Sequence, residues 1–301
     1  TDEIVIFTIS GANDHYIGEW VYDIDVIEEV PGAIVGFDEF TGTSSLSQSD
    51  ILVNLDSTGH WIKYVFTPRI EYDGTDDLNC EYPQESDTIT IWVNPRPRLL
   101  VEPRISDTIC YDEGITFNIE RLNGNVLGQW KYDVVITDGD DLTSIVNESG
   151  GTNLDLETFD QSNLTNVDTS VHWVEYSFIP GIMFPEYDQS ACQNGDTVRV
   201  RIYINPKPRL FIDYTPDTIL CDQDTIQFNP QTGNGNVIGD WVYDVEITDA
   251  SDLSAISGEI ASTQTEQTGL FTEELQNLTD TIQWIEYTFT SRIVNVSEDK
   301  P

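Results

Sequence analysis

One phrase returns three times along this 301-residue chain: GEWVYDIDV, GQWKYDVVI and GDWVYDVEI. Self-similarity at a fixed period constrains a fold more than any other sequence feature, because each copy must be the same structural unit. Trp20, Trp130 and Trp241 stand 110 and 111 residues apart. Trp61, Trp173 and Trp284 follow at steps of 112 and 111, inside HWIKYVFTPRI, HWVEYSFIPGI and QWIEYTFTSRI. Phe7, Phe117 and Phe228 keep the same step, as do Asn94 and Asn205 in VNPRPRLL and INPKPRLF. The period is ~111 residues and the chain holds about 2.7 copies. The phase divides it into residues 1–97, truncated at the N-terminal side, a complete copy at 98–208, and residues 209–301, truncated at the C-terminal side.

Within a copy the pattern is β. ITFNIE, TIQFNP, HWVEYSF and TVRVRIYIN alternate apolar and polar residues and are rich in Val, Ile, Thr, Tyr and Trp. Gly, Asn, Asp and Ser fill the gaps, as in RLNGN, TGNGN and SGGTN. TEELQNL and LDLETFDQSNL are the two stretches with room for a helical turn. About seven strands per copy predict an all-β fold of tandem immunoglobulin-like β-sandwiches in a linear array. Trp20, Trp130 and Trp241 are then core candidates on strand C, and the second Trp set falls on strand F with its facing open. The chain opens at strand B and stops before strand G, so the phase predicts a parent protein that continues on both sides.

The Pro-x-Pro phrases mark the joints, since proline fixes φ, removes a ladder donor and favours an extended chain. Arg96, Arg98, Lys207 and Arg209 sit there, four of only 13 cations against 54 Asp and Glu. They either offset repulsion between acidic neighbours or serve as ordinary solvated linker charges. A formal charge of −41 makes nucleic acid and anionic lipid poor partners. No run of about 18 apolar residues is present to insert into a membrane.

The chemistry of sites is sparse. His60 and His172 are repeat-related, but the third copy carries Gln283, which argues for a strand-surface role over catalysis. No G-x-S-x-G, P-loop or H-E-x-x-H motif occurs, so no enzyme and no cofactor is expected. Calcium takes about six to eight oxygens. The candidates for a loose calcium site are Asp138, Asp140 and Asp141, and Asp73, Asp76 and Asp77. A solvated acidic coat outweighs such a cage. Asp23, Asp133 and Asp244, which follow the repeated Tyr, suit a structural hydrogen bond.

Four cysteines form repeat-related pairs, Cys80 with Cys192 and Cys110 with Cys221. Their spacing suits disulfides in an exported protein better than zinc. Cys110 at the A–B turn and Cys192 in the F–G loop belong at opposite ends of one sandwich, so a bridge between them would be strained. Staples from copy to copy, with partners just outside the chain, or a Cys80–Cys110 bridge, are the other options.

Taken together, the ~111-residue β copies, the VNPRPRL/INPKPRL joint, DTIC or TILC soon after it, and a Cys before strand G resemble a family. It is that of the immunoglobulin-like or PKD-like repeats of giant Bacteroidota cell-surface proteins, notably SprB-type gliding-motility adhesins. The resemblance implies type IX secretion, display at the outer membrane, and a filament that lifts an adhesive tip. It further implies O-glycosylation at Asp-Thr-Ile/Val sites, here Thr88, Thr108, Thr197, Thr218, Thr225 and Thr281. The expected function is a non-catalytic extracellular stalk whose partners are neighbouring repeats, surface polysaccharide or other filament subunits. A carbohydrate-binding or calcium-rigidified adhesion module is the alternative.

Overall fold

The computed structural model describes residues 3–11, 17–45, 47–71, 80–81, 86–103, 107–184, 189–192, 195–214, 219–260 and 263–294. Residues 3, 80, 81, 138, 189–191 and 214 are described by backbone alone. The first unit contains β1 (Glu3–Thr8), β2 (Glu19–Glu28), β3 (Ile34–Val35), β4 (Phe40–Thr43), β5 (Ser47–Asn54), β6 (His60–Glu71), β7 (Cys80–Glu81) and β8 (Asp87–Val93). The second contains β9 (Leu99–Pro103), β10 (Thr108–Ile109), β11 (Glu113–Arg121), β12 (Gln129–Gly139), β13 (Ile145–Val146), β14 (Gly151–Leu154), β15 (Thr158–Asn166), β16 (His172–Phe184), β17 (Gln189–Cys192) and β18 (Val198–Ile204). The third contains β19 (Leu210–Tyr214), β20 (Asp224–Thr232), β21 (Asp240–Ala250), β22 (Ile256–Ser257), β23 (Gln264–Gln267), β24 (Phe271–Asn277) and β25 (Ile285–Val294).

In the middle unit two sheets face each other, β13-β15-β11-β9 and β10-β18-β16-β12-β14, with β17 extending β16. The chain begins in one sheet as β9 and crosses to the other as β10, which pairs in parallel with β18. This switch, with antiparallel pairing elsewhere, gives an immunoglobulin-like sandwich. The flanking units repeat the plan: β1-β5-β3 opposite β4-β2-β6-β8, and β19-β20-β24-β22 opposite β23-β21-β25.

Period-2 alternation builds the core. Ile115, Phe117 and Ile119 of β11 face Val174, Tyr176 and Phe178 of β16, all buried. Phe117 lies 5.3 Å from the Tyr176 ring and 5.2 Å from Phe178. Phe7 repeats the arrangement with Tyr64 and Phe66 at 4.6 and 5.4 Å, and Phe228 with Tyr287 and Phe289 at 5.5 and 5.2 Å. Tilted and edge-to-face aromatic contacts at these distances favour one packing over others.

Two sequence expectations are corrected. Of the three strand-C tryptophans only Trp130 is buried, and Trp20 and Trp241 are partly covered. The residue sealed at that level is the tyrosine two positions on: Tyr22, Tyr132 and Tyr243 are each 1% exposed. The alternation puts both rings on the inner face, but the Trp stands nearer the open end of the sandwich. TEELQNL and LDLETFDQSNL are not helical either. They supply β24 and most of β15, with Phe271 and Glu273, and Phe159 and Gln161, buried at every second position. Strand pairing on one side and a core on the other override the weak local preference for helix. Among the described residues the 3-10 turn Leu253–Ala255 is capped by Asp252.

One buried polar link crosses each core. The strand-F tyrosine donates to a side chain on the opposite sheet: Tyr64 to Asp50 at 2.6 Å, Tyr176 to Gln161 at 2.9 Å, and Tyr287 to Glu273. Burial pushes the Glu273 carboxyl up, and the Tyr287 hydroxyl only partly offsets this. A carboxyl with a raised folded pKa favours the fold at low pH and loses that contribution as pH rises through the folded value. Glu273→Gln, the residue type of the middle copy, is therefore expected to raise stability at pH 7 by about 1 kcal/mol. The gain should vanish near pH 4, as read from urea unfolding of wild type and variant at both pH values.

Candidate functional site, the joint between repeats

The sequence marks the joints by proline and cations, but their geometry is set by asparagines. Asn94, just after β8, donates through Nδ2 to the Leu127 carbonyl at 2.8 Å and accepts from the Leu127 N–H at 2.8 Å. Asn205, after β18, does the same with Ile238 at 2.9 and 2.9 Å, and is fully buried. The side-chain amide stands in for a β-ladder partner, so strand G of one copy is in effect hydrogen-bonded to the turn entering strand C of the next. Pro95, Pro97 and Pro206 are buried and fix the connecting backbone.

A second asparagine ties three segments together. Asn123, in the turn between β11 and β12, accepts from the Arg98 N–H at 2.5 Å. It donates to the carbonyls of Arg96 at 3.0 Å and Ser57 at 3.3 Å. Asn234 repeats this with Arg209 N–H at 2.7 Å, Lys207 O at 2.9 Å and Thr169 O at 3.3 Å. Ser57 and Thr169 lie in the loop that enters strand F of the preceding copy, from β5 to β6 and from β15 to β16, here the E–F loop. The turn backbone docks on that same loop: Gly59 N to Asn125 O at 3.1 Å, Gly124 N to Ser57 O at 3.2 Å, Val171 N to Asn236 O at 2.7 Å, and Gly235 N to Thr169 O at 2.9 Å. Glycine permits the approach, since a Cβ on Gly235 would lie 2.2 Å from Ser170 Oγ.

The E–F loop is itself pre-shaped. Asn54, Asn166 and Asn277 donate to the carbonyls of Thr58, Ser170 and Thr281, each at 2.8 Å. Each also accepts the backbone N–H two residues on, at 2.9 to 3.0 Å, which closes an Asx turn. Asn54 and Asn166 reach strand G as well, through Val93 O and Ile204 O at 2.8 Å. These asparagines were missed in the sequence reading. Their signal was invariance at the repeat step, which the aromatic markers overshadowed.

Histidine closes the same loop in two copies. His172 lies 3.0 Å from Asp140 through Nδ1 and 2.9 Å from Asp168 through Nε2. His60 lies 3.5 Å from Glu29 and 2.8 Å from Asp56. Gln283 takes the position in the third copy and bonds Thr279, Thr281 and Ser251 instead. Burial pulls the His172 pKa down, but Asp168 and Asp140 outweigh it and hold it above the ordinary imidazole value.

The other expected residues divide. Asp23, Asp133 and Asp244 each accept the N–H of the left-handed residue of the short strand beside strand C: Gly42 at 2.7 Å, Asn153 at 2.7 Å and Glu266 at 2.9 Å. Asp140 caps Trp173 N–H at 2.9 Å and Asp141 holds Thr143 and Ser144, so their oxygens serve the loop. The Asp138 side chain and Asp73, Asp76 and Asp77 lie outside the described residues. Among the described residues no group of three or more His, Cys, Asp or Glu is placed to hold a metal ion. Arg96 and Arg98 both reach Asp196 of the following F–G loop, at 2.9 and 3.1 Å, which places these cations across the first joint.

Cys110 and Cys221 carry free thiols within this chain. Cys110 follows the residue paired with Ile204 at one end of the sheet, whereas Cys192 pairs with Ile182 at the other. Ten residues of β16 separate those levels, roughly 33 Å. The Cys80 side chain is outside the description. Of the candidate glycosylation sites, Thr88, Thr197, Thr225 and Thr281 are exposed, and Thr218 is outside the described residues. Thr108, on β10, is 6% exposed.

Trp173 faces outward with the Arg201 guanidinium 3.7 Å from its ring centre, and Trp284 is half exposed. A groove of about 560 Å³ beside Trp130 carries Glu120, Glu157 and Thr158 but neither histidine nor cysteine. No helix among the described residues is long and apolar enough to cross a membrane.

No protein-family model matches the chain, and no curated protein matches it. Among solved structures, the FN1–FN3 domains of chicken CNTN1 align over 98% of this chain and 90% of that one, at 12% identity and a TM-score of 0.27. Domains 1–6 of the surface-layer protein SbsC align over 92% of this chain and 30% of that one, at 13% identity and 0.24. Whole-chain superposition is poor at these scores, and the fold assignment rests on the strand pairing above.

His172 links two loops, one of which carries the second joint. A histidine with a raised folded pKa stabilises below the ordinary imidazole pKa, and that contribution is lost as pH rises through the folded value. His172→Gln should flatten the pH dependence of the middle unit's melting temperature between pH 6 and 8.5. The loss in wild type is expected to be about 1 kcal/mol or less, given the partly exposed carboxylates.

Proposed function

We propose that this chain is a non-catalytic stalk segment of a giant secreted cell-surface adhesin, exported by type IX secretion and displayed at the outer membrane. Its role is to carry an adhesive tip away from the cell during gliding or attachment. The observation that carries this reading is the repetition of the joint. The same asparagines make the same hydrogen bonds at both junctions, so each copy meets the next in one geometry. An array with one repeated interface extends in one dimension, each copy adding roughly 35–45 Å. Flexible linkers would give no such propagation of direction.

The acidic surface supports the reading, since like-charged stalks do not stick to one another or to anionic lipid. The glycan-binding alternative has less support, because it needs the repeated tryptophans on one exposed face. Trp20, Trp130 and Trp241 are instead buried or partly covered at the sandwich ends.

Small-angle scattering of the whole chain tests the stalk. A long, narrow distance distribution is expected. Replacing Asn94 and Asn205 by Ala should shorten and broaden it while strand content by circular dichroism stays constant, since each joint loses two hydrogen bonds worth about 1 kcal/mol apiece. A compact wild-type particle would overturn the reading.

A further inference from the structure

Both asparagines that tie the joints are followed by glycine, as Asn123-Gly124 and Asn234-Gly235. Glycine exposes its backbone nitrogen most fully, because no Cβ hinders a close approach. We propose that Asn123 and Asn234 are deamidation sites guarded by the closed joint, so that a joint which opens is converted chemically and does not close again.

The reaction needs only water. The Gly124 nitrogen gives up its proton and attacks Asn123 Cγ. A Cγ–N bond forms, the Cγ–Nδ2 bond breaks, and Nδ2 leaves as ammonia with that proton. Water then opens the resulting five-membered imide at either carbonyl, giving aspartate or isoaspartate. The same steps apply to Asn234 and Gly235.

The closed joint opposes each step. The attacking nitrogen is engaged, Gly124 N–H with Ser57 O at 3.2 Å and Gly235 N–H with Thr169 O at 2.9 Å. The departing amide is held by two carbonyls, Arg96 O and Ser57 O in one joint, Lys207 O and Thr169 O in the other. Its oxygen is held by Arg98 N–H at 2.5 Å or Arg209 N–H at 2.7 Å, so the group cannot turn toward the nucleophile. Local opening removes all of these restraints together.

The product does not fit the closed joint. An aspartate keeps an acceptor for the Arg98 or Arg209 N–H but has no donor. Its second oxygen faces two carbonyl oxygens, and isoaspartate adds a methylene to the turn backbone. The joint needs one acceptor and two donors on a short side chain, which asparagine supplies, and at the second joint a following residue without a Cβ, which would lie 2.2 Å from Ser170 Oγ. The inference rests on joint geometry and holds whether or not the chain is displayed on a cell.

The test incubates the full chain at 37 °C and mildly alkaline pH, in native buffer and in denaturing urea, with conversion read by peptide mass spectrometry. Conversion at Asn123 and Asn234 should be at least about tenfold slower in the native chain. Equal rates would overturn the guarding, and no conversion in urea would overturn the sites. A second measurement uses Asn234→Asp with dyes in the second and third sandwiches. A broadened distance distribution with unchanged strand content is expected, and a wild-type distribution would overturn the consequence drawn for the joint. Gly124→Ala adds a Cβ that meets only Thr58 Cγ2 at 3.5 Å, so the first joint is kept while attack by the backbone nitrogen is hindered. Conversion at Asn123 in urea should slow several-fold, and an unchanged rate would overturn the imide route.

Discussion

Everything about this chain as an array depends on backbone groups at the end of each sandwich having somewhere to go. A sandwich presents unpaired N–H and C=O groups where its strands stop, and buried ones must be satisfied. Here the preceding copy satisfies those of Leu127 and Ile238, with Asn94 and Asn205 acting as detached pieces of ladder. The cost of parting two copies is therefore a set of stranded polar groups. That cost makes the joint directional, since hydrogen bonds specify angle where apolar contact alone would not.

The three copies also show which needs are structural, because they meet them with different residues. The buried acceptor for the strand-F tyrosine is Asp50, Gln161 or Glu273. The loop closure is His60, His172 or Gln283. The aspartate of the opening phrase has an arginine neighbour in the outer copies, Arg69 and Arg292, where the middle copy has Gly181. Catalysis or metal binding tolerates no such exchange of chemistry. Packing and hydrogen bonding do, provided length and polarity are kept.

Much of the architecture was legible from the sequence. Strands β2, β12 and β21 fall on the repeated phrase, β6 and β16 carry Trp61 and Trp173, and β25 begins one residue after Trp284. The aspartates after the repeated tyrosine proved to be structural acceptors, as their invariance implied. What misled was size. Tryptophan looked like the core anchor, yet the tyrosine two residues on is the sealed one, because depth along a strand is not written in its alternation. RLNGN has the composition of any gap between strands, yet its asparagine holds the joint. A polar residue in a turn has the same local pattern whether it faces water or a neighbouring copy.

By itself the sequence determined the repeat, the β alternation, the acidic surface and the positions of the joints, because each of these is a property of spacing or composition along one chain. The tertiary structure alone decided which tryptophan is covered, and that asparagine rather than proline or charge sets the angle between copies. Those are relations between residues tens of positions apart, brought together by sheet pairing. A hydrogen bond's worth depends on what lies across from it, which no period in the sequence records.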